Sequence, residues 1–470
     1  MSERVTAVVL AAGAGSRFGG GKLLASLGGV PILQHVLDTL AASGLQDVVV
    51  VLGRDRAAVE ASISWRNERR ATNPEPERGL SSSLQTGMAA LDPGSDAALI
   101  VLGDQPRLTV DTIRALLDAP NDPARPVVAP RYDDDGARNP MLIKRSVFAL
   151  VEETVGDRGL GPILADRRDL VMEVPVAGSN PDVDTRADLV RLVEAAWSDQ
   201  VRANREQVDR VREVPDGTDF YAPVRSMFRA DPTRTGDPVL AELLERVEPG
   251  DTWLDIGAGA GRFALPIARA LAASGGSVTA LDASASMLEA AREIAAEHAI
   301  ENLETIEGRW PPADAAVIET VRSDVVLIAH VGYDVEAIGP FLDAMEAAAR
   351  RGLIAVLMEQ MPASAADPFW PLVHGESRAP LPALNDFVAL LDVRDRAPMV
   401  RRVTDDRRRF ESREALEGFV RRQLWIDFEG PKEARFQAAL DALALPEGEG
   451  WTIRGRGPVD IGVVVWAAPR

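Results

Sequence analysis

Apolar residues fall along this chain in short runs separated by stretches with helical spacing. Val8-Val9-Leu10, residues 47–52 (DVVVVL) and residues 97–102 (AALIVL) are too short for helices and read as buried strands. Between them, residues 31–43 (PILQHVLDTLAAS) carry apolar side chains near a 3.6-residue period. That spacing predicts a helix entered at Pro31 and closed by Gly44, and residues 55–62 read as a second helix. The second half repeats the scheme, with strands expected at 253–256, 277–282, 323–330, 353–358 and 459–466. Helices are expected over about 262–274, 339–350 and 412–422. Strands alternating with helices imply parallel sheets covered on both faces, with ligands at the carboxyl ends of the strands. The expected fold class is therefore α/β, in two domains, each a mostly parallel sheet flanked by helices.

Composition narrows the function classes. At 470 residues the chain exceeds one ordinary core, and 46% hydrophobic with 26% charged residues describes a globular protein. No apolar run approaches the ~18 residues of a membrane span, and no signal peptide opens the sequence. A cytoplasmic protein with no membrane partner is expected. A formal net charge of −20 argues against nucleic acid as a partner and leaves small molecules. The absence of cysteine excludes disulfides, thiolate metal sites and a cysteine nucleophile. Arginine has replaced lysine almost everywhere: only Lys22, Lys144 and Lys432 remain.

One of those lysines closes a glycine-rich loop. After Leu10-Ala11-Ala12 come Gly13-Ala14-Gly15-Ser16-Arg17-Phe18-Gly19-Gly20-Gly21-Lys22. Such a loop can bend tightly and aim backbone N–H groups at phosphate oxygens, while Arg17 adds a planar donor fork and Lys22 a point charge. It is neither the dinucleotide-binding G-x-G-x-x-G nor a P-loop. Ser81 and Ser83 precede a short helical run, where hydroxyls suit a nucleotide or serve as a cap and polar turn. Asp104 directly follows the third strand, where a carboxylate could hold Mg²⁺ or make a turn before Pro106.

The pattern L-A-A-G-x-x-x-R-x-G-x-x-K resembles the MobA/MocA-like nucleotidyltransferases of molybdenum cofactor biosynthesis. The resemblance covers about residues 4–195. It implies nucleotide binding by Leu10, Ala11, Ala12, Gly13, Gly15, Arg17, Lys22, Ser81 and Ser83, with Arg17, Lys22 and Asp104 catalytic. It further implies Mg²⁺ on Asp104 and on Asp184 of the D-V-D-T-R-A-D-L segment, with Asp182 in reserve. Arg138-Asn139-Pro140 and Gly156-Asp157-Arg158-Gly159 match family segments near the substrate. The L-A-A-G form implies CTP as nucleotide and a phosphorylated pterin, molybdopterin, as acceptor.

In the second half, Trp253-Leu254-Asp255-Ile256-Gly257-Ala258-Gly259-Ala260-Gly261 reads as a strand and a glycine turn, and Ser277–Asp282 as a strand ending in an acid. The spacing from Gly257 to Asp282 fits one βαβ unit whose acid reaches ribose hydroxyls. With Asp255 ahead of the glycines, the stretch resembles class I S-adenosylmethionine-dependent methyltransferases, which are Rossmann-like. The resemblance implies cofactor contacts at Asp255, Gly257, Gly259, Gly261 and Asp282, with Trp310 at the adenine and His330 beside the transferred methyl. Trp370, His374 and Trp425 lie in an insertion that could shape a substrate pocket.

The expected organisation is a nucleotidyltransferase domain over 1–198 and a methyltransferase domain over 199–470. Residues 199–236 form a charged linker or cap in which Phe220, Tyr221, Met227 and Phe228 would pack on the second domain. Two alternatives stand beside this bifunctional reading: a sugar-phosphate acceptor, or one domain, the methyltransferase first, acting as a non-catalytic binding module.

Overall fold

The structure is a computed structural model that describes residues 3–133, 138–214, 229, 231–405 and 409–469. It divides into two compact units, Met1–Leu192 and Val193–Arg470. The four aromatic and methionine residues expected to form a cap, Phe220, Tyr221, Met227 and Phe228, lie outside the described residues.

The first unit contains strands β1 (Val5–Ala11), β2 (Ser26–Leu27), β3 (Val30–Pro31), β4 (Asp47–Leu52), β5 (Arg69–Thr72), β6 (Ala97–Leu102), β7 (Val127–Arg131), β8 (Met141–Lys144) and β9 (Val171–Pro175). Its helices are α1 (Ile32–Ser43), α2 (Arg56–Ser62), α3 (Leu80–Ala89), α4 (Val110–Leu117) and α5 (Gly161–Asp166). Seven strands form one sheet in the order β5-β4-β1-β6-β8-β7-β9, with β8 antiparallel to both neighbours and the other pairings parallel. Side chains of a strand alternate between faces, so β1 serves two cores at once. Ala7, Val9 and Ala11 pack with Leu33, Val36, Leu37 and Leu40 of α1. Val8, Leu10 and Ala12 pack with Leu84 of α3 and Leu164 of α5. Each fully buried leucine in these layers contributes about 1.5–3 kcal/mol. Gly87 lets α3 sit close on the sheet, since a Cβ there would meet Val8 Cγ1 at 2.4 Å.

The long helix α6 (Arg186–Val211) contains the division between the units. The second unit adds α7 (Pro238–Leu244), β10 (Thr252–Ile256), α8 (Ala264–Leu271), β11 (Ser277–Asp282), α9 (Ala285–Glu297), β12 (Leu303–Glu307), α10 (Ala316–Thr320), β13 (Ser323–Ala329), α11 (Ile338–Ala348) and β14 (Ala349–Met358). It continues with α12 (Trp370–His374), α13 (Leu384–Val393), β15 (Met399–Asp405), α14 (Arg413–Gln423), α15 (Glu433–Leu443), β16 (Ala444–Glu447), β17 (Gly450–Ile453) and β18 (Val459–Ala467). The sheet order is β12-β11-β10-β13-β14-β18-β15, parallel from β12 to β14, with β18 antiparallel to β14 and β15.

The insertion after β14 builds a core of its own. Trp370, Phe419, Leu424 and Phe436 pack there with Val208 and Val211 of α6. Trp370 is fully buried against His374, whose Nε2 lies 3.1 Å from the Leu424 carbonyl oxygen. These two residues hold the insertion together rather than line a substrate pocket, because their large rings are spent on its interior.

Candidate functional site

In the first unit the glycine loop leaves β1 and is pinned by Phe18, which is buried. Gly15 sits in the left-handed region at φ 56°, and a Cβ there would approach Lys22 Cβ to 3.1 Å. Glycine at this position therefore lets the chain double back and bring Lys22 under the turn. Lys22 Nζ donates to Asp104 Oδ2 at 2.5 Å and to Asp184 Oδ1 at 3.2 Å. Arg17 Nη2 reaches Asp184 Oδ2 at 3.0 Å. Residues 82 and 162 positions from Lys22 in sequence thus share one ammonium group. The lysine is sheltered, 11% exposed, whereas Arg17 is 74% exposed. Burial works against the Lys22 charge, yet Asp104 and then Asp184 outweigh it and hold the ammonium above its usual range.

Backbone contacts fix this arrangement. The Val183 N–H donates to the Asp104 carbonyl oxygen at 3.1 Å, which fastens the acidic segment to the end of β6. Asp182 is turned away and accepts from Gln105 Nε2 at 2.6 Å; burial, then the neighbouring Asp104 charge, raises its carboxyl above the normal range. Asp188 accepts from the Thr185 N–H at 2.6 Å while Thr185 Oγ1 accepts from the Asp188 N–H at 3.1 Å, a capping box that starts α6. Of the segment's three acids, Asp184 alone contacts Lys22 and Arg17 among the described residues.

Two clefts lie at the end of β1, and neither has Lys22, Arg17, Asp104 or Asp184 in its lining. Ala11, Ala12 and Gly13 line one of about 340 Å³ with Gly53, Arg54 and Glu77, the last two joined by an ion pair of 3.1 Å. Leu10 faces the other, of about 380 Å³. Ser81 and Ser83 lie buried in the first turn of α3, with Ser83 Oγ accepting from Asn73 Nδ2 at 3.0 Å. No contact among the described residues joins either serine to the Lys22 cluster. Arg54 and Glu77 were not among the expected site residues, yet Arg54 follows β4 through Gly53 as Asp104 follows β6 through Gly103, a signal that could have found it.

Among the described residues, no three or more His, Cys, Asp or Glu side chains gather as a metal centre. Asp104 and Asp184 nonetheless fit Mg²⁺, a hard cation that uses one or two carboxylates and takes its remaining ligands from phosphates and water.

In the second unit the turn after β10 carries Gly257 at φ 71°, where a Cβ would meet Val331 Cγ2 at 2.4 Å. Only glycine admits the segment after β13 so close. Gly257 and Ala258 N–H groups donate to the Leu281 carbonyl oxygen at 2.7 and 3.1 Å, so the turn is stitched to β11. Asp282 Oδ2 accepts from the Gly259 N–H and Oδ1 from the Ser284 N–H, both at 2.8 Å. Its carboxylate still has lone pairs for ribose hydroxyls. Gly261 packs on Leu265 and Ala291. Gly308 N–H donates to the Asp282 carbonyl oxygen at 2.9 Å, which brings Trp310 alongside, and the indole N–H is held by the Phe341 carbonyl oxygen at 3.3 Å.

Asp255 is 3% exposed, its Oδ1 lacks a hydrogen-bond partner, and burial followed by the Asp282 charge pushes its pKa up to about 8. It is an uncharged acid at neutral pH. His330 occupies the left-handed region at φ 58°, with Nδ1 buried and unpartnered. Burial, then Arg262, lowers its pKa to about 4, so the ring is neutral. Buried unpartnered atoms, a strained backbone and a glycine cradle together form a setting suited to S-adenosylmethionine. Tyr333 OH accepts from the Met358 N–H at 2.8 Å.

Comparison with known proteins follows the same division. Residues 7–171 match the family described as a MobA-like NTP transferase domain, and residues 247–367 match a methyltransferase domain. Nicotine blue oxidoreductase of Paenarthrobacter nicotinovorans is 33% identical over 198 residues, 40% of this chain and 96% of that protein. Bifunctional protein GlmU of Sorangium cellulosum is 37% identical over 123 residues, 24% of this chain, which thus spans only 26% of that relative. The crystal structure of Rv0371c from Mycobacterium tuberculosis H37Rv is 30% identical, with 41% of this chain covering 100% of it at a TM-score of 0.38. The two matched families use nucleoside triphosphates and S-adenosylmethionine in general. No helix among the described residues is long and apolar enough to cross a membrane.

Proposed function

Because the chain belongs to the MobA-like NTP transferase family in its first half and carries a methyltransferase domain in its second, we propose a bifunctional cytoplasmic enzyme. Its first half transfers CMP from CTP to a phosphorylated acceptor, molybdopterin. The observation that carries this reading is the meeting of Lys22, Arg17, Asp104 and Asp184 beside the glycine loop. An oxygen of the acceptor phosphate forms a bond to the α-phosphorus of the nucleotide. The bond from that phosphorus to the bridging oxygen breaks, and pyrophosphate leaves with the electron pair. An ionised phosphate is already a nucleophile, so no general base is needed. Positioning and charge neutralisation carry the catalysis. Lys22 and Arg17 bind phosphate oxygens and the departing pyrophosphate. Asp104 and Asp184 would hold Mg²⁺, which supplies neutralising charge to the phosphates.

The second half holds S-adenosylmethionine through Gly257, Gly259 and Gly261 at its methionine end and Asp282 at the ribose, with Trp310 beside the adenine. That cofactor supplies an electrophilic methyl group. The neutral Asp255 orders the turn, and the neutral His330 is able to accept a proton from an acceptor beside it.

Calorimetric titration with CTP, GTP, ATP and UTP in Mg²⁺, and separately with S-adenosylmethionine, tests both halves on the wild type and Asp104→Ala. A CTP preference lost in the variant, with cofactor binding unchanged, is the expected result. A GTP or UTP preference overturns the base assignment. The relative spanned over nearly its full length is named an oxidoreductase. Failure of all four nucleotides would therefore turn the first half toward redox chemistry.

A further inference from the structure

Four charged groups meet beside the glycine loop, and their charges already cancel. Asp184 offers Oδ1 to Lys22 at 3.2 Å and Oδ2 to Arg17 at 3.0 Å, while Asp104 offers Oδ2 to the same lysine at 2.5 Å. Two carboxylates thus face one ammonium and one guanidinium. The Lys22 and Asp104 side chains are both largely sheltered, and ion pairs withdrawn from water attract more strongly than those on the surface. The neighbouring Asp182 is engaged elsewhere, with Gln105 Nε2 at 2.6 Å.

This arrangement puts the lysine in the way of a metal. Mg²⁺ binds carboxylate oxygens at about 2.0–2.1 Å. An ammonium hydrogen-bonded to both of the same carboxylates lies in the space such an ion needs, and the two cations repel. The charge count agrees, because a neutral cluster has no net attraction for a further cation. With two of its three N–H donors turned to carboxylates, the ammonium also has only one left for a phosphate oxygen.

Lys22 is suited to changing partners. Its Cβ lies close under Gly15 and the next residue, Leu23, is buried, so its backbone is anchored. Beyond Cβ runs a flexible stem that ends in a compact charge, where arginine would carry a rigid fork. A nucleoside triphosphate brings competing negative oxygens to the loop. Once they take the ammonium, the two carboxylates recover the charge that matches a divalent cation.

We propose that Lys22 is a resident counter-ion: it holds the place of the divalent cation between Asp104 and Asp184 and yields that place when nucleotide phosphates take its ammonium. Metal and nucleotide then bind as linked events, each raising the affinity for the other. The inference rests on the nucleotidyl-transfer reading for the nucleotide, whereas the exchange between lysine and metal stands without it.

The test titrates Mn²⁺, which takes the same oxygen ligands as Mg²⁺, into the full chain without nucleotide and follows the free ion by electron paramagnetic resonance. Lys22→Met is expected to bind Mn²⁺ at least tenfold more tightly than wild type. Lys22→Gln is a second neutral variant and should gain as much, with thermal melts showing which of the two folds. Lys22→Arg keeps a cation and should gain nothing. Asp104→Asn added to Lys22→Met should remove the gain. Equal Mn²⁺ affinity in wild type and the neutral variants, a gain in Lys22→Arg, or a gain that survives Asp104→Asn overturns the proposal. CTP, GTP, ATP and UTP with Mg²⁺ are titrated into the wild type in parallel. A Mn²⁺ gain in Lys22→Met without binding of any nucleotide would sink the transferase reading and leave the exchange standing; CTP binding without the Mn²⁺ gain would do the reverse.

Discussion

In each unit a buried strand breaks into a glycine turn, and the two turns treat a carboxylate in opposite ways. At the first, Asp104 and Asp184 are charged partners of Lys22 and Arg17. At the second, Asp255 is buried with no cation paired to it among the described residues and takes up a proton instead. The same backbone device therefore serves two ligand chemistries. Where phosphates and a divalent ion are expected, the turn is surrounded by groups that keep their charge. Where a thioether-derived cofactor is expected, the turn sits between Asp255, a buried acid that has taken up a proton, and Asp282, whose carboxylate accepts from its Gly259 N–H.

The sharpest way to break this comparison is to remove charge from the first turn. Lys22→Ala is expected to lower nucleotidyl transfer at least ~100-fold, the scale of losing one oriented charge on a transferring phosphate, with S-adenosylmethionine affinity unchanged within about twofold. Steady-state turnover beside calorimetry measures both. A large loss of cofactor affinity would mean that the turns are not independent.

The second unit is broken by pH. Below its pKa of about 8 Asp255 is protonated in the folded chain, whereas the unfolded chain ionises it near 3.8. The folded state therefore binds the extra proton between those values, and its contribution to stability falls as pH rises through that window. Asp255→Asn should flatten this dependence and raise the melting temperature relative to wild type at pH 8. Thermal melts from pH 5 to 9 on both proteins check it, and parallel curves would remove the buried acid from the argument.

Salt separates the turns more gently. Raising ionic strength from about 0.05 to 0.3 M should weaken nucleotide binding several-fold and cofactor binding less, because the first turn meets phosphates with charged side chains whereas Asp282 at the second meets neutral ribose hydroxyls. The smallest expected effect is Thr185→Ala. It removes one half of the capping box at α6 and should cost about 1 kcal/mol in denaturant unfolding, with nucleotide affinity altered only if Asp184 shifts as well.

The central strands were legible in sequence because β4 and β6 are buried on both faces and therefore read as unbroken apolar runs. The peripheral ones were not. Arg69–Thr72 has no residue of the buried class, and Leu303–Glu307 is half-exposed throughout, so neither carries a hydrophobic signal. Helix α6 starts at Arg186, inside the stretch expected to close the first domain, since its first turns sit inside the acidic segment. In the site, Lys22, Asp104 and Asp184 stood out because each lies in a glycine turn or an acid-rich stretch after a strand. The cleft of about 380 Å³ was legible only at Arg138 and Arg158, since its walls are leucines and isoleucines from separated strands and helices whose spacing marks them only as core. Pattern identifies a turn; it does not reveal which buried faces fail to meet.

The scarcity of lysine has a practical consequence. Lys144 pairs with Glu3, Lys432 donates to the Val211 carbonyl oxygen, and Lys22 is clasped between two carboxylates. An amine-acylating reagent thus has three side-chain targets, and the one beside the glycine loop reacts only when its clasp opens and its proton leaves. The acylation rate at Lys22, followed by peptide mass, becomes an intrinsic clock for that opening.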